Sequence, residues 1–428
     1  MGKLKNLFKG INTSSVAKAE LLLYNDAVTL VHDATKICWD KPPAKTYKEK
    51  KEFIRKRIAT GHESILEHSN IVMLITISED YLIQYNLLDF HYLNIVFTPD
   101  DKEEKLYHIL VGGSIRGYKH LFRNNFDRNN KVALLIANVL YSITPREFWV
   151  DLIDDYILKD KFVDIMTDYN IQYLYTKEFI DGQEIDENTE NYSELHSIKV
   201  SGNDPIIAIP NMDDLMILRK KLENYPFYIS DMLEMCTVTI VFKHMSRVIT
   251  QQLIRHRNGV TQASGRYIDL TGAVFNSPAK FKEKYKDQKY DICIFGKAFN
   301  GITMDVLGTE LLTIYKQLRD QGVDKEDARG FLPQNTQCGD VYMTFTYGHL
   351  IKFLQLRTHT SAQVEIRKYA NKIYDTLIDI LKHKLDTDNI YSYLEPYYKF
   401  GETNCMDSSC EEVIDTFTEE IKEENHNE

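Results

Sequence analysis

Two apolar runs, far apart, constrain this chain more than any other feature. Asn70 to Ile77 (NIVMLITI) and Thr237 to Phe242 (TVTIVF) read as buried strands. More than 150 residues of different texture separate them, rich in Tyr and Asn, with an acidic polar stretch at 181–194 and few chemical motifs. That contrast predicts an inserted segment over 79–234 between two parts of one domain, 1–78 and 235–400. A strongly acidic tail at 401–428 is expected to fray or stay disordered. No internal repeat is evident.

Helical signals surround the two strands. A strand leading into a helix fits 19–34, where Val28, Leu30, Val31 and Ala34 share a face. A charged helix from Lys45 to Thr60 should stop at Gly61, which takes the left-handed conformation without a Cβ clash. Ser246 can cap a helix through VITQQLIRH, with Val248, Ile249, Leu253 and Ile254 facing inward. Further on, Leu307, Leu311, Ile314 and Leu318 mark one helix face, and Asp324 can cap a short helix carrying Ala328 and Arg329. A last helix over about 361–383 aligns Ile366, Ala370, Ile373, Leu377 and Leu381. The fold class expected is α+β, a sheet packed against helices.

Composition narrows the function. With 52 Lys+Arg against 63 Asp+Glu among 428 residues, the net charge is 52 − 63 = −11, which argues against a general nucleic-acid binder because phosphate backbones attract basic surfaces. No run approaches the ~20 apolar residues of a membrane span, and the basic N-terminus lacks the hydrophobic core of a secretory signal, so a cytoplasmic protein is expected. The six cysteines are dispersed without metal-ligand spacing, which predicts reduced thiols and no metal site.

Three segments carry chemistry. Arg255-His256-Arg257 and Ser264-Gly265-Arg266-Tyr267 place three guanidinium groups and an imidazole within thirteen residues at a helix end. The rigid guanidinium fork suits phosphates and planar polar rings. The same residues also fit a plainer role: one Arg paired with a carboxylate, another on the surface, and His256 hydrogen-bonded in the core. In Gly61-His62-Glu63-Ser64-Ile65-Leu66-Glu67-His68 the two histidines are six apart, unlike the zinc-protease HExxH pattern. A cap-and-turn role explains that octapeptide as readily as a functional one. The third segment comprises Asp327-Ala328-Arg329-Gly330-Phe331-Leu332-Pro333, then Leu356-Arg357 and Ala362-Gln363-Val364-Glu365-Ile366-Arg367.

In this order, GHESILEH, RHRNGVTQASGRY, ARGFLP and LRTHTSAQVEIR resemble the motifs of the flavin-dependent thymidylate synthases. The resemblance covers roughly 15–78 and 235–398. It implies a homotetramer, with active sites formed between subunits, that converts dUMP to dTMP. FAD recharged by NADPH is the implied hydride source, and methylene-tetrahydrofolate the carbon donor. Carried over residue by residue, Arg255, His256 and Arg257 sit against flavin, Arg255 also near the nucleotide, with Ser64 and Gln262 on the cofactor side. Gln252, Ser264, Gly265, Arg266 and Arg329 hold dUMP. Arg357 faces the uracil edge, where positive charge stabilises a ring whose C5 becomes nucleophilic; it and Ser264 are the implied catalytic residues. No enzyme cysteine is implied to attack the pyrimidine.

The chain departs from the family pattern in places. Six residues, NGVTQA, separate RHR from Ser264 where the family usually has seven. Gln262 and Thr261 stand where an acidic residue and an asparagine are usual, and Ser361 where a histidine often precedes A-Q-x-E. Nucleotide positions thus match better than flavin positions. Two other readings remain open: 5-hydroxymethylation of dUMP on the same fold, and a non-catalytic descendant that binds nucleotide or a partner. The insertion is expected on the outside of the tetramer.

Overall fold

The structure, a computed structural model, describes residues 17–24, 27–39, 44–99, 106–125, 130–149, 152, 179–180, 183–184, 197–198, 206–208, 213–256, 259–285, 287–294 and 296–384. The acidic tail at 401–428 and residues 185–194 of the acidic stretch lie outside them. Both helices and sheets are present, as the α+β expectation requires. The chain divides into two compact units, Met1–Asn276 with Gly308–Tyr347, and Ser277–Leu307 with Gly348–Glu428.

In the first unit the order begins β1 (Ala17–Tyr24), α1 (Ala27–Lys36), α2 (Tyr47–Ala59), a 3₁₀ helix Glu63–His68, β2 (Ile71–Ser78) and α3 (Leu82–Asn86). It continues through β3 (Asn94–Pro99), β4 (Leu106–Gly113), α4 (Ile115–Asn125) and α5 (Lys131–Ile143). After the short strands β5 (Phe179–Ile180), β6 (Gln183–Glu184), β7 (Ser197–Ile198) and β8 (Ile206–Ala208) come α6 (Asp213–Lys221) and α7 (Ile229–Met235). Then follow β9 (Thr237–Ser246), α8 (Arg247–Leu253) and β10 (Gly259–Gln262). The second unit holds α9 (Ala279–Tyr285) and the hairpin β11 (Tyr290–Ile294) with β12 (Lys297–Ile302). α10 (Met304–Asp320) continues into the first unit, which also contains α11 (Lys325–Ala328) and β13 (Gln337–Thr346); α12 (Tyr347–Thr358) and α13 (Val364–Lys384) follow.

The first unit has an antiparallel sheet in the order β1-β2-β4-β3 and a second in the order β10-β13-β9-β8-β7. Burial of Ile71 through Ile75 on both faces of β2 explains why its sequence reads as one apolar run instead of alternating. On one face, Ile71, Met73, Ile75 and Ile77 share a core with Ile109 and Val111 of β4. Val28 and Val31 of α1, Ile54 and Ile58 of α2, Tyr118 of α4 and Ile136 of α5 complete it. Of the elements that follow the first predicted strand, β4 therefore pairs with it, β3 pairs with β4, and α4 and α5 pack in the same core.

Local signals set the helix ends. Thr46 and Glu49 form a reciprocal capping box on α2, and Gly61 follows with φ +81°. Ser246 caps α8 by accepting the Ile249 N–H. Ile254 was expected inside but is 43% exposed, because the chain tightens into a 3₁₀ turn at Ile254–His256 and rotates it outward. On α10 the buried positions are Gly308 and Tyr315, while Leu307, Leu311, Ile314 and Leu318 are only half-buried. Tyr315 is drawn in by its hydroxyl, which accepts the Leu270 N–H at 3.2 Å. On α13, Ile366, Ala370, Ile373 and Leu377 are buried as expected; the side chain of Leu381 lies outside the described residues.

Candidate nucleotide-binding site

The site grows from the place where β9 and β13 lose their regular register, beside the end of β10. Gly339 pairs with Met245 and Val341 with Phe242, so Lys243 and His244 together oppose Asp340. Cys338 is the extra residue on β13, between the Gln337 and Gly339 pairings. Such bulges bend strands and re-aim side chains. His244 takes φ 54°, and its N–H is held by the Asp340 carboxylate at 3.0 Å. Gly339 has φ +118°, and a Cβ there would lie 2.6 Å from that of Ala263, so glycine is what lets the end of β10 pass. The Ala263 N–H bonds the Asp340 carbonyl at 2.9 Å.

Beyond Ala263 the chain turns back on itself: the Ser264 carbonyl accepts from the N–H groups of both Tyr267 and Ile268 at 2.9 Å. This tight turn puts Ser264 and Gly265 on the wall of a cleft of about 90 Å³, with Gln262, Arg329, Arg247 and Asp340 around it. Arg329 reaches the cleft from the 3₁₀ turn that follows α11 and runs over Gly265. A hollow of about 500 Å³ adjoins it, sharing Ala263, Leu270, Cys338, Gly339 and Asp340 and adding Trp39, Lys36 and His244. The cleft is below the ~300–1,000 Å³ of a whole small-molecule pocket and suits one end of a ligand; the hollow falls within that range.

Of the predicted nucleotide residues, Ser264, Gly265 and Arg329 therefore share one cleft, joined by Gln262. Arg266 points to its rim, where its Nε meets Glu326 Oε1 at 2.8 Å; the same oxygen lies 3.8 Å from Arg329 Nη2. Both guanidiniums are partly exposed there, and such surface pairs hold weakly enough for a stronger anion to displace the carboxylate. Gln252 and His256 are half-buried and Arg255 is exposed, but none of the three lines the cleft. Arg257 lies outside the described residues. Arg357, half-buried, sits on the last turn of α12 in the second unit.

The GHESILEH segment resolves into two kinds of residue. His68 is buried, with Nε2 2.7 Å from Thr261 Oγ1 of β10 and Nδ1 2.8 Å from Thr344 Oγ1 of β13. Burial drives its pKa down to about 3, so the ring is a neutral bracket between two strands. A Cβ on Gly259 would lie 2.6 Å from the Glu67 carbonyl, so glycine allows this 3₁₀ helix to touch β10 just after the RHR motif. His62 and Ser64 stay exposed.

Three residues at this site escaped the sequence reading. Arg247 lines the cleft with Arg329; its place one residue after the helix-capping Ser246 was the available signal. Trp39, one of two tryptophans, gathers the motifs: its ring is 5.6 Å from Tyr267 and 5.9 Å from His62, and the Arg57 guanidinium lies 4.3 Å over it. Cys338 also lines the cleft, and burial pushes its thiol up to about 11 against the opposing pull of Arg247. It is a protonated thiol at neutral pH, with little of the thiolate that nucleophilic attack needs.

Residues 219–381 match the family model described as "Thymidylate synthase complementing protein". The matched stretch contains the RHR, SGRY, ARGFLP and LR…AQVEIR segments, whereas GHESILEH lies before it. The flavin-dependent thymidylate synthase of Pyrococcus furiosus is 33% identical over 153 residues, covering 34% of this chain and 56% of the relative. That of Pyrococcus abyssi is 31% identical over 175 residues, covering 39% and 64%. The Aquifex aeolicus enzyme is 28% identical over 180 residues, covering 40% and 56%. The chain thus spans between 56% and 64% of the length of these relatives. A crystal structure of thymidylate synthase X from Helicobacter pylori with FAD and dUMP shares 18% identity, covering 39% of this chain and 77% of its own, with a TM-score of 0.26. At that score the fold of one does not speak for the other. No described helix is long and apolar enough to cross a membrane. Residues 219–381, arginine motifs included, match that family model, and the chain is similar over part of its length to the flavin-dependent thymidylate synthases.

Proposed function

We propose that the chain is a flavin-dependent thymidylate synthase, methylating dUMP to dTMP with methylene-tetrahydrofolate as carbon donor. The observation that carries this reading is that Gln262, Ser264, Gly265 and Arg329, drawn from two separate motifs, line one cleft with Arg247. Two guanidiniums and a serine hydroxyl are the donor set a phosphate calls for, and Arg266 adds a third guanidinium once it leaves Glu326. Ser264 and Gly265 orient the sugar end. Arg357 holds positive charge at the uracil edge, where charge develops on the ring.

By the resemblance FAD falls to Ser64, Arg255 and His256, and an exposed hydroxyl, an exposed guanidinium and a half-buried imidazole are of the type that suits a pyrophosphate and a polar ring edge. Arg257 completes that set. When bound, FAD recharged by NADPH supplies the hydride, and the protein supplies positioning and charge. The working form is a cytosolic homotetramer with sites shared between subunits.

The test is to purify the protein, record its visible spectrum, and incubate it anaerobically with FAD, NADPH, dUMP and methylene-tetrahydrofolate while assaying for dTMP. Flavin absorbance with dTMP formation is expected. Hydroxymethyl-dUMP instead of dTMP overturns the reaction but keeps the nucleotide; dUMP binding with neither flavin nor product overturns catalysis altogether.

A further inference from the structure

Inside the segment after Ser78, one helix is bound along its length to the GHESILEH motif. The Ile115 N–H at the start of α4 bonds Ser69 Oγ at 2.8 Å. One position on, Arg116 pairs with Glu67. Lys119, with no exposed surface, puts Nζ 2.8 Å from Glu63 Oε1 and 3.1 Å from the Phe148 carbonyl. Arg123 closes the row with two bonds of 2.6 Å, one to each oxygen of Glu63. Positions 116, 119 and 123 fall on one helix face, and as α4 advances from 115 to 123 its partners run back from 69 to 63.

Topology imposes this arrangement. β2 and β4 are antiparallel, with Ile71 opposite Gly113, so the helix before β2 and the helix after β4 leave the sheet at the same end. The identity of the side chains is less easily explained by stability. A buried lysine must be desolvated, and apolar residues of similar volume often serve a core as well or better. Burial raises the Glu63 carboxyl, but hydrogen bonds from Arg123 and Lys119 outweigh it and hold the group at about 2. A fixed, fully paired carboxylate specifies one geometry for the turn that carries His62 and Ser64.

We propose that Arg116, Lys119 and Arg123 are positioning residues that pin Glu67 and Glu63, and thereby make α4 a working part of the flavin-binding wall. The inference rests on the reading that Ser64 faces flavin, and two measurements on the full-length protein separate the two claims. The variant Arg116→Gln/Arg123→Gln changes side chains at the surface and leaves Lys119 in place. FAD titration should show affinity lowered by about ten-fold or more, the scale on which small misplacements act, with dUMP affinity within about two-fold of the parent. Hydrogen exchange at the amides of 63–69 should quicken while that of β9 stays unchanged. Arg116→Lys/Arg123→Lys, which keeps charge but loses the bidentate fork, should recover part of the FAD affinity.

Unaltered exchange at 63–69 overturns the clamp. Faster exchange with unchanged FAD affinity overturns its role in the flavin wall, as does an equal loss of FAD and dUMP affinity. If the parent protein takes up no FAD, the proposed function fails, the flavin wall fails with it, and the exchange measurement still decides whether α4 fixes the turn.

Discussion

The Glu63–His68 helix and the Ser264–Tyr267 turn are both dense in polar side chains, and they use them in opposite directions. In the first, His68 is buried between two threonines, while Glu63 and Glu67 are taken up by cations from α4. In the second, Ser264 and Gly265 line a cleft, and Arg266 makes a half-exposed contact with Glu326. Motif residues are thus of two sorts: those that hold strands in register, and those left lining an open cleft. Their variants should fail in different assays.

The largest effect is expected at the inward end. His68→Ala removes a buried ring and takes a partner from the hydroxyls of Thr261 and Thr344, the latter keeping its bond to Thr239, and should cost about 3 kcal/mol of stability. Urea denaturation measures it, and a loss below about 1 kcal/mol would erase the contrast with the cleft. Next comes the outward end. Arg329→Ala and Arg266→Ala should each weaken dUMP binding by about 1.5–3 kcal/mol while leaving FAD bound. Calorimetric titration checks this; unchanged nucleotide affinity in both variants would reject the assignment.

A pH series sharpens the inward case. Burial holds folded His68 near 3, whereas the unfolded chain takes the proton near 6.5. Its contribution is therefore complete above 6.5 and is lost as pH falls from there toward 3, amounting to about 1.4 kcal/mol by pH 5.5. His68→Gln should lack that component, and identical slopes for parent and variant between pH 7.5 and 5.5 would contradict it. The smallest effect is a control. Thr46→Ala removes the capping box of α2, far in sequence from either arginine motif, and should cost about 1 kcal/mol of stability with dUMP affinity unchanged. A drop in affinity would mean that stability and binding are not separable in this chain.

Much of this was legible in sequence because its signals are local. The runs at 70–77 and 237–242, the Thr46 to Gly61 helix and the Ser246 cap each depend on neighbouring residues and appear as β2, α2, β9 and α8. What escaped depends on partners distant in the chain. His68 meets Thr344 across 276 positions. Nothing local marks Trp39 as the ring that meets both His62 and Tyr267, or reveals that α4 would spend its cations on Glu63 and Glu67. The bulges that set Asp340 beside His244 likewise arise from a mismatch between two strands, and neither strand announces it alone.

Among the described residues the strand β10 pairs only with β13, and it is four residues long. Insertions and deletions between the RHR and SGRY motifs consequently fall at a margin of the sheet. A residue lost there shifts one short ladder and spares the central pairing of β9 with β13. The cost falls on that ladder and on the bond from Thr261 to His68, which a shift of β10 would break. The stretch between the two motifs is the natural place for evolution, or for an experimenter, to retune the spacing.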